Sequence, residues 1–398
     1  LVGFSFLWLQ PVAMIAGIVM LSAIAYVTLS TGERPLRAIN EHVNPVLGWG
    51  WLFASMAANI VWSMPQFSLA IASFQQNLLP TVFGPPTVSE MGGKILAACV
   101  ILTINFTFLT LYTLGGRGVK IFEIVVKCMV GTVVVCFFGV VFTLTASGQL
   151  DWREYMSGFI PRLRLLSEPS PAFAPYIQEL SEAGRAFWTR LIVNQQRDIM
   201  ISAAATAVGI NMTFLFPYSM LRKGWDRDFR SLAIFDLSTG LFFPFIAATS
   251  CVVIAAAAQF HAKPAPGFLG ETDSEGRVVE PDRRLVPGFN ALLEQRVASE
   301  LGAASFAQLS AEQKAEAVSK LPIADRRMAA MLVKRDAFQL SAALAPLTGT
   351  TIARYVFGLG VLGMGLGAAT MLMVINSVCF CELLNRPARG WPQFLGVA

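Results

Sequence analysis

Apolar positions in this chain come in long uninterrupted blocks. Runs free of Asp, Glu, Lys and Arg cover 3–32, 42–89, 95–116, 128–150, 198–221 beyond Asp198, 237–262 and 355–381. Each supplies the roughly 20 apolar residues that cross a hydrocarbon core about 30 Å thick. Lipid offers no partner to a backbone N–H or C=O, so runs of this length are helices. The short alternating segments of a barrel are absent. The pattern predicts an all-α integral membrane protein with spans at 4–30, 47–78, 93–114, 119–147, 198–221, 229–258 and 350–383.

The charged residues between the runs set an orientation. One side receives Arg34 and Arg37, Arg117 and Lys120, then Arg222, Lys223, Arg227 and Arg230, and finally Arg386 and Arg389. The short loop 79–92 on the other side has neither Lys nor Arg. This bias predicts a multi-pass protein of the cell membrane with residue 1 outside and residue 398 in the cytoplasm. Two long connections then fall outside. Residues 148–197 hold Pro169, Pro171 and Pro175, which oppose regular helix. Residues 259–349 form an insertion that begins as loop and continues as short soluble helices. Within it Ser310 and Gln313 read as a capping box, and Leu292, Val297, Leu301, Met328 and Leu332 as its packed positions. The domain reading is therefore 1–258 for membrane helices, 259–349 for the insertion, and 350–398 for the last complete span and the start of another segment. Both ends look cut. Residue 1 is Leu, the first span starts almost at once, and Trp391 to Ala398 open a further apolar stretch.

Composition agrees with this picture and removes some alternatives. Hydrophobic residues make up 55% of the chain and charged ones 14%, against about 25% charged in soluble domains. The net charge of +5 is accounted for by the topological bias, so no nucleic-acid partner is implied. Cys99, Cys128, Cys136, Cys251, Cys379 and Cys381 lie in or beside spans and read as small buried hydrophobes. No His-Glu-x-x-His, Gly-x-Ser-x-Gly or phosphate-cradling loop occurs, so neither an enzyme nor a cofactor is expected. His42 and His261 both lie outside the spans.

The most informative chemistry is in the fifth run, from Ala207 to Ser219. Gly209, Asn211 and Thr213 are weak helix formers, and Pro217 cannot donate to the carbonyl of Thr213. A helix interrupted at membrane depth is tolerated where it is buried in protein or lines a cavity. In secondary transporters such breaks present carbonyls to ions. A simple proline kink is the other reading, and it predicts no break near 209–213.

Three further stretches resemble a known family. Gly32-Glu33-Arg34-Pro35-Leu36, His42-Val43-Asn44-Pro45 and Leu47-Gly48-Trp49 are similar to the loop between the second and third helices of the Nramp divalent-metal transporters. Gly118 to Glu123 resembles the start of their fifth helix, and Ser231 to Asp236 that of their seventh. The resemblance implies family helices two to eight, a LeuT-like fold of inverted repeats, and a divalent ion as substrate. It places 207–219 on the family's broken sixth helix. There the family's Met-Pro-His run gives way: Met corresponds to Asn211 and His to Thr213. The implied metal ligands are Val208, Gly209, Asn211 and Thr213, with Met212 on the site if the register shifts by one. The family's proton-accepting Asp and Glu fall on or beside Ser63 and Gln66, in a stretch without a carboxylate from 43 to 89. Oxygen donors in place of a thioether suit a hard ion, and a membrane proton relay needs a titrating group. Both changes resemble the Nramp-related magnesium transporters, which move Mg²⁺ without protons.

Other polar groups read as structural. Glu123 and Lys127 are spaced to pair on one helix face. Asp236 should cap or pack its helix, and Asn59 and Asn105 should bond between helices. The expected protein is monomeric, with the bilayer and a divalent ion as partners. Rival readings are a proton-coupled Mn²⁺/Fe²⁺ transporter, an amino-acid symporter of LeuT type and a seven-helix receptor.

Overall fold

The computed structural model describes residues 2–83, 88–114, 117–148, 150–206, 209–272, 275–349 and 351–386. In chain order α1 (Leu9–Thr31) and the short α2 (Pro35–His42) lead to α3 (Pro45–Ser73), which a π-helical turn at Phe74–Leu78 continues. After α4 (Glu90–Leu114) and α5 (Arg117–Ala146) come α6 (Glu182–Thr206) and α7 (Ile210–Arg222). Next are α8 (Arg230–Asp236), a π turn at Leu237–Leu241 and α9 (Phe242–Phe260). Then follow α10 (Val286–Leu301), α11 (Ala311–Ser319), α12 (Ile323–Leu332) and α13 (Ala337–Thr348). A last π turn at Ile352–Val356 precedes α14 (Phe357–Leu383).

Among the described residues five helical stretches are long and apolar enough to cross a membrane: Leu9–Thr31, Pro45–Leu78, Met91–Thr110, Arg227–Phe260 and Arg354–Leu383. The fourth expected span is the helix α5, whose most apolar part is Val134–Ala146. The fifth is not one helix, because α6 ends at Thr206 and α7 begins at Ile210. Two boundaries also move. The first span was expected from residue 4, yet α1 starts at Leu9, since Gly3 takes a left-handed φ of 53° and residues 2–8 make successive turns. Helix α6 starts at Glu182, well before residue 198, because its early turns bury Trp188 and Ile192 in a soluble-type core.

The chain divides into two compact units. One comprises 11–140, 205–249 and 344–398, and its centre is the pairing of α3 with α14. Helix α3 starts where the Asn44 side chain accepts from the Val46 N–H at 2.8 Å and Pro45 takes the first helical position. Glycines along α14 let the two backbones approach. A Cβ on Gly365 would lie 3.0 Å from the Gln66 carbonyl oxygen and 3.2 Å from the Ala70 Cβ. Leu52, Ala70, Ile101, Leu362, Leu366 and Ile375 fill the interior around this contact. The π turns at the ends of α3 and α14 satisfy one another. Asn77 donates to the Arg354 carbonyl, and Arg354 Nε donates to the Asn77 carbonyl, both at 3.0 Å.

The other unit comprises 1–10, 141–204 and 250–343. Here the two long connections share one core, in which Phe173, Trp188 and Ile192 meet Phe289, Leu293, Met328 and Leu332. Asp325 is its polar centre, accepting from Trp188 Nε1 at 2.7 Å and from Arg296 Nε at 3.0 Å. The Ser310–Gln313 capping box forms as expected. Val297 and Met328 are buried, whereas Leu301, expected in the core, is half-exposed at the end of α10. The prolines of 169–175 leave only a 3₁₀ turn at Pro171–Phe173 and a five-residue helix at Ala174–Gln178.

Candidate ion site in an interrupted helix

Gly209 stands at the boundary of α7 with φ −73° and ψ 151°, an extended conformation that ends any continuity with the preceding helix. The extended residue is thus the first of the 209–213 stretch, and Asn211 and Thr213 lie in the first turn of α7. Pro217 sits inside α7 without breaking it. The expected ligand Val208 lies outside the described residues, as do the side chain of Glu123 and the segment from Trp391 to Ala398.

Asn211 is 8% exposed, whereas Met212 is 38% exposed. The Asn211 Oδ1 accepts from the Met212 N–H at 2.9 Å, a donor shared with the Gly209 carbonyl at 3.0 Å. The same oxygen occupies the space beside Gly209, 2.3 Å from where a Cβ there would lie. An amide oxygen retains a second lone pair, so this bond leaves it able to accept from water or meet a cation. Thr213 is committed differently. Its hydroxyl donates to the Ile210 carbonyl and accepts from Trp51 Nε1 of α3 at 3.2 Å. Phe214 behind it packs between Trp51 and Tyr218, with ring centroids 4.6 and 5.0 Å away. This clamp holds the first turns of α7 against α3.

Ser63 and Gln66 are half-buried on α3, and neither makes a hydrogen bond to Asn211 or Thr213. The Ser63 hydroxyl donates to the Ile60 carbonyl at 2.7 Å. The polar groups that α3 does bury are others. Asn59 donates to Asn376 Oδ1 at 2.9 Å, and Asn105 Oδ1 accepts from Thr370 at 3.1 Å, so both asparagines bridge helices as expected. Reading the sequence missed Asn376 and Thr370, although a polar residue inside the apolar run 355–381 was the available signal. The Asn59 Oδ1 is buried with no hydrogen-bond partner among the described residues, as are the hydroxyls of Ser55 and Ser377.

Three expectations fail on burial. Asp236 neither caps nor packs: it is exposed, its carboxylate near Gly240 where α8 passes into a π turn. Cys99 and Cys128 are exposed, not buried. Away from the break, Glu33, Glu41 and His42 bring possible ligand atoms within 4.8 Å of one another. Two ion pairs account for that grouping, His42 with Glu33 at 3.2 Å and Arg37 with Glu41 at 2.7 Å.

Apolar helices long enough to span a bilayer, together with a helix interrupted at a glycine beside a buried amide, define a helical membrane transporter. The family model described as natural resistance-associated macrophage protein-like (Nramp) matches residues 1–273, and the chain belongs to that family. Its members carry divalent metal ions across membranes and share the LeuT-like fold. This assignment removes the receptor and amino-acid symporter readings. No match was found among curated proteins.

Proposed function

We propose that the protein carries Mg²⁺ across the cell membrane without a coupled proton, by alternating access around the interruption before α7. The observation that carries this reading is the pairing of Gly209 with Asn211. It gives a buried neutral oxygen, with no side-chain bulk beside it, at the position that the resemblance aligns with the family's thioether. Mg²⁺ gives up its water reluctantly and is usually held with several waters in place. An amide that accepts hydrogen bonds from those waters, beside a glycine, suits such an ion better than a soft donor would. Proton transfer within the bilayer needs Asp, Glu or His, and 43–89 contains none beyond the stretch's boundaries. The protein acts as a monomer, with its carboxyl-terminal side in the cytoplasm, and catalyses no reaction.

The test is flux in proteoliposomes carrying one dye for Mg²⁺ and another for pH. Mg²⁺ entry with no proton movement above empty vesicles is expected; a metal-dependent proton flux would refute the uncoupled mechanism. Asn211→Met tests the site itself. It returns a soft donor and adds apolar bulk, so it should move preference from Mg²⁺ toward Mn²⁺ or Cd²⁺ by about tenfold, as follows from ~1.4 kcal/mol. An unchanged preference in calorimetric titration removes Asn211 from the site and favours Met212 and the proton-coupled Mn²⁺/Fe²⁺ reading.

A further inference from the structure

Residues 150–166 follow α5 and form a helix at Trp152–Ser157 and a 3₁₀ turn at Leu163–Leu166. Tyr155 and Leu165 face inward, but Trp152, Met156, Ile160 and Leu163 are 45%, 60%, 63% and 61% exposed. Trp152 and Met156 lie four apart on one helix face, and the Trp152 ring meets the buried Tyr155 edge to face at 5.5 Å. Arg153, Arg162 and Arg164 are interleaved with these apolar side chains and are themselves exposed.

Two spans neighbour this segment. Its helix begins six residues beyond Ala146, the end of α5, which limits the distance of Trp152 from that end to at most about 20 Å. It is also fastened to the residues that lead into α1. The Trp8 N–H donates to the Gly158 carbonyl at 3.0 Å, and the Phe4 and Tyr155 rings meet edge to face at 5.8 Å. Gly158 permits the approach, since a Cβ there would sit 2.1 Å from the Phe4 carbonyl oxygen. The residues that lead into α1 and those that follow α5 therefore bracket 150–166. Aromatic and arginine side chains with an exposed apolar face are what the edge of the hydrocarbon selects. Tryptophan sits at the headgroups, aliphatic groups enter the acyl boundary, and arginines reach back to phosphate.

We propose that 150–166 is a membrane-seated collar. On this assignment Met156, Ile160 and Leu163 are immersed in the acyl boundary of a phospholipid leaflet, and Arg153 and Arg162 contact its phosphodiesters. Trp152 is the interfacial anchor.

The test places a nitroxide at Met156→Cys, Ile160→Cys or Leu163→Cys, with the native cysteines replaced, in phosphatidylcholine nanodiscs. Collision with oxygen should exceed collision with a water-soluble nickel complex at all three positions. A label at Val278→Cys, 69% exposed on a distant loop, should show the reverse. Labels behaving like the one at Val278, or shielded from both reagents as a second copy of the chain would shield them, overturn the proposal. Should the cysteine-free protein fail to fold, native protein in vesicles of brominated phosphatidylcholine serves instead. Quenching should then fall on Trp152→Phe substitution; equal quenching in the two proteins overturns the proposal.

Discussion

At the scale of single residues, Gly209 and Asn211 act as one steric unit. The φ of −73° at Gly209 is open to any L-residue, so the glycine is not required by backbone conformation. What requires it is the Asn211 oxygen, 2.3 Å from the missing Cβ. Gly209→Ala should therefore leave the fold intact while displacing the amide and its bond to Met212, a loss of about 0.5–1.5 kcal/mol. The expected result is near-native thermal unfolding with metal flux reduced several-fold in proteoliposomes. Native flux would mean that the amide position is irrelevant to transport. Asn211 was legible in the sequence because a polar side chain in an apolar run stands out. The engagement of Thr213 by Trp51 was not, since those residues are 162 positions apart and only packing brings α3 to α7.

At the scale of elements, the α3–α14 pair depends on small residues. Membrane helices gain little from the hydrophobic effect on association, so close packing and interhelical hydrogen bonds must hold them. Gly365→Val would drive its side chain into the Gln66 carbonyl and Ala70, and overpacking of this kind costs about 1–3 kcal/mol. Thermal unfolding in detergent should show the loss; an unchanged Tm would contradict the close approach. In the other unit, Asp282 ties the segment before α10 to α13. Burial by itself would raise its pKa, but hydrogen bonds from the Arg284 side chain and backbone and from Gln339 outweigh that and hold it below the ordinary value. A carboxylate lowered on folding contributes stability above its unfolded pKa, about 3.9, and loses it as pH falls through the folded value. Asp282→Asn should lower Tm slightly at pH 6, by less than ~1 kcal/mol since its arginine partner is half-exposed. The difference should close as the pH falls through the lowered folded value.

At the scale of the whole molecule, the unit of 1–10, 141–204 and 250–343 is a folded body in its own right, with a charged group at its centre. Asp325 and the Arg296 side chain are 1% and 3% exposed, and removing one member of a buried pair strands the other. Asp325→Ala should cost about 3–5 kcal/mol and also leave Trp188 Nε1 without its acceptor. Hydrogen exchange read by mass spectrometry should then rise in the first turns of α6, in α10 and in α12. The α3–α14 core should keep its protection. Uniform exchange across both would show that the damage is not confined to the core around Asp325.

The class of the protein follows from its sequence because lipid imposes a rule on the backbone that composition alone satisfies. Charge-free runs long enough to cross the bilayer must be helices, and those between 3 and 381 were visible as such. The break before α7 was legible too, through weak helix formers whose effect is local, and Gly209 is its extended residue. Only the tertiary structure joined 148–197 to 259–349 in one core. Trp188 and Met328 attract each other without direction, and nothing in either segment names its partner. It alone set the start of α6, the engagement of Thr213 and the exposure of 152–163. Those depend on which neighbours cover a side chain, and residues distant in the chain supply them.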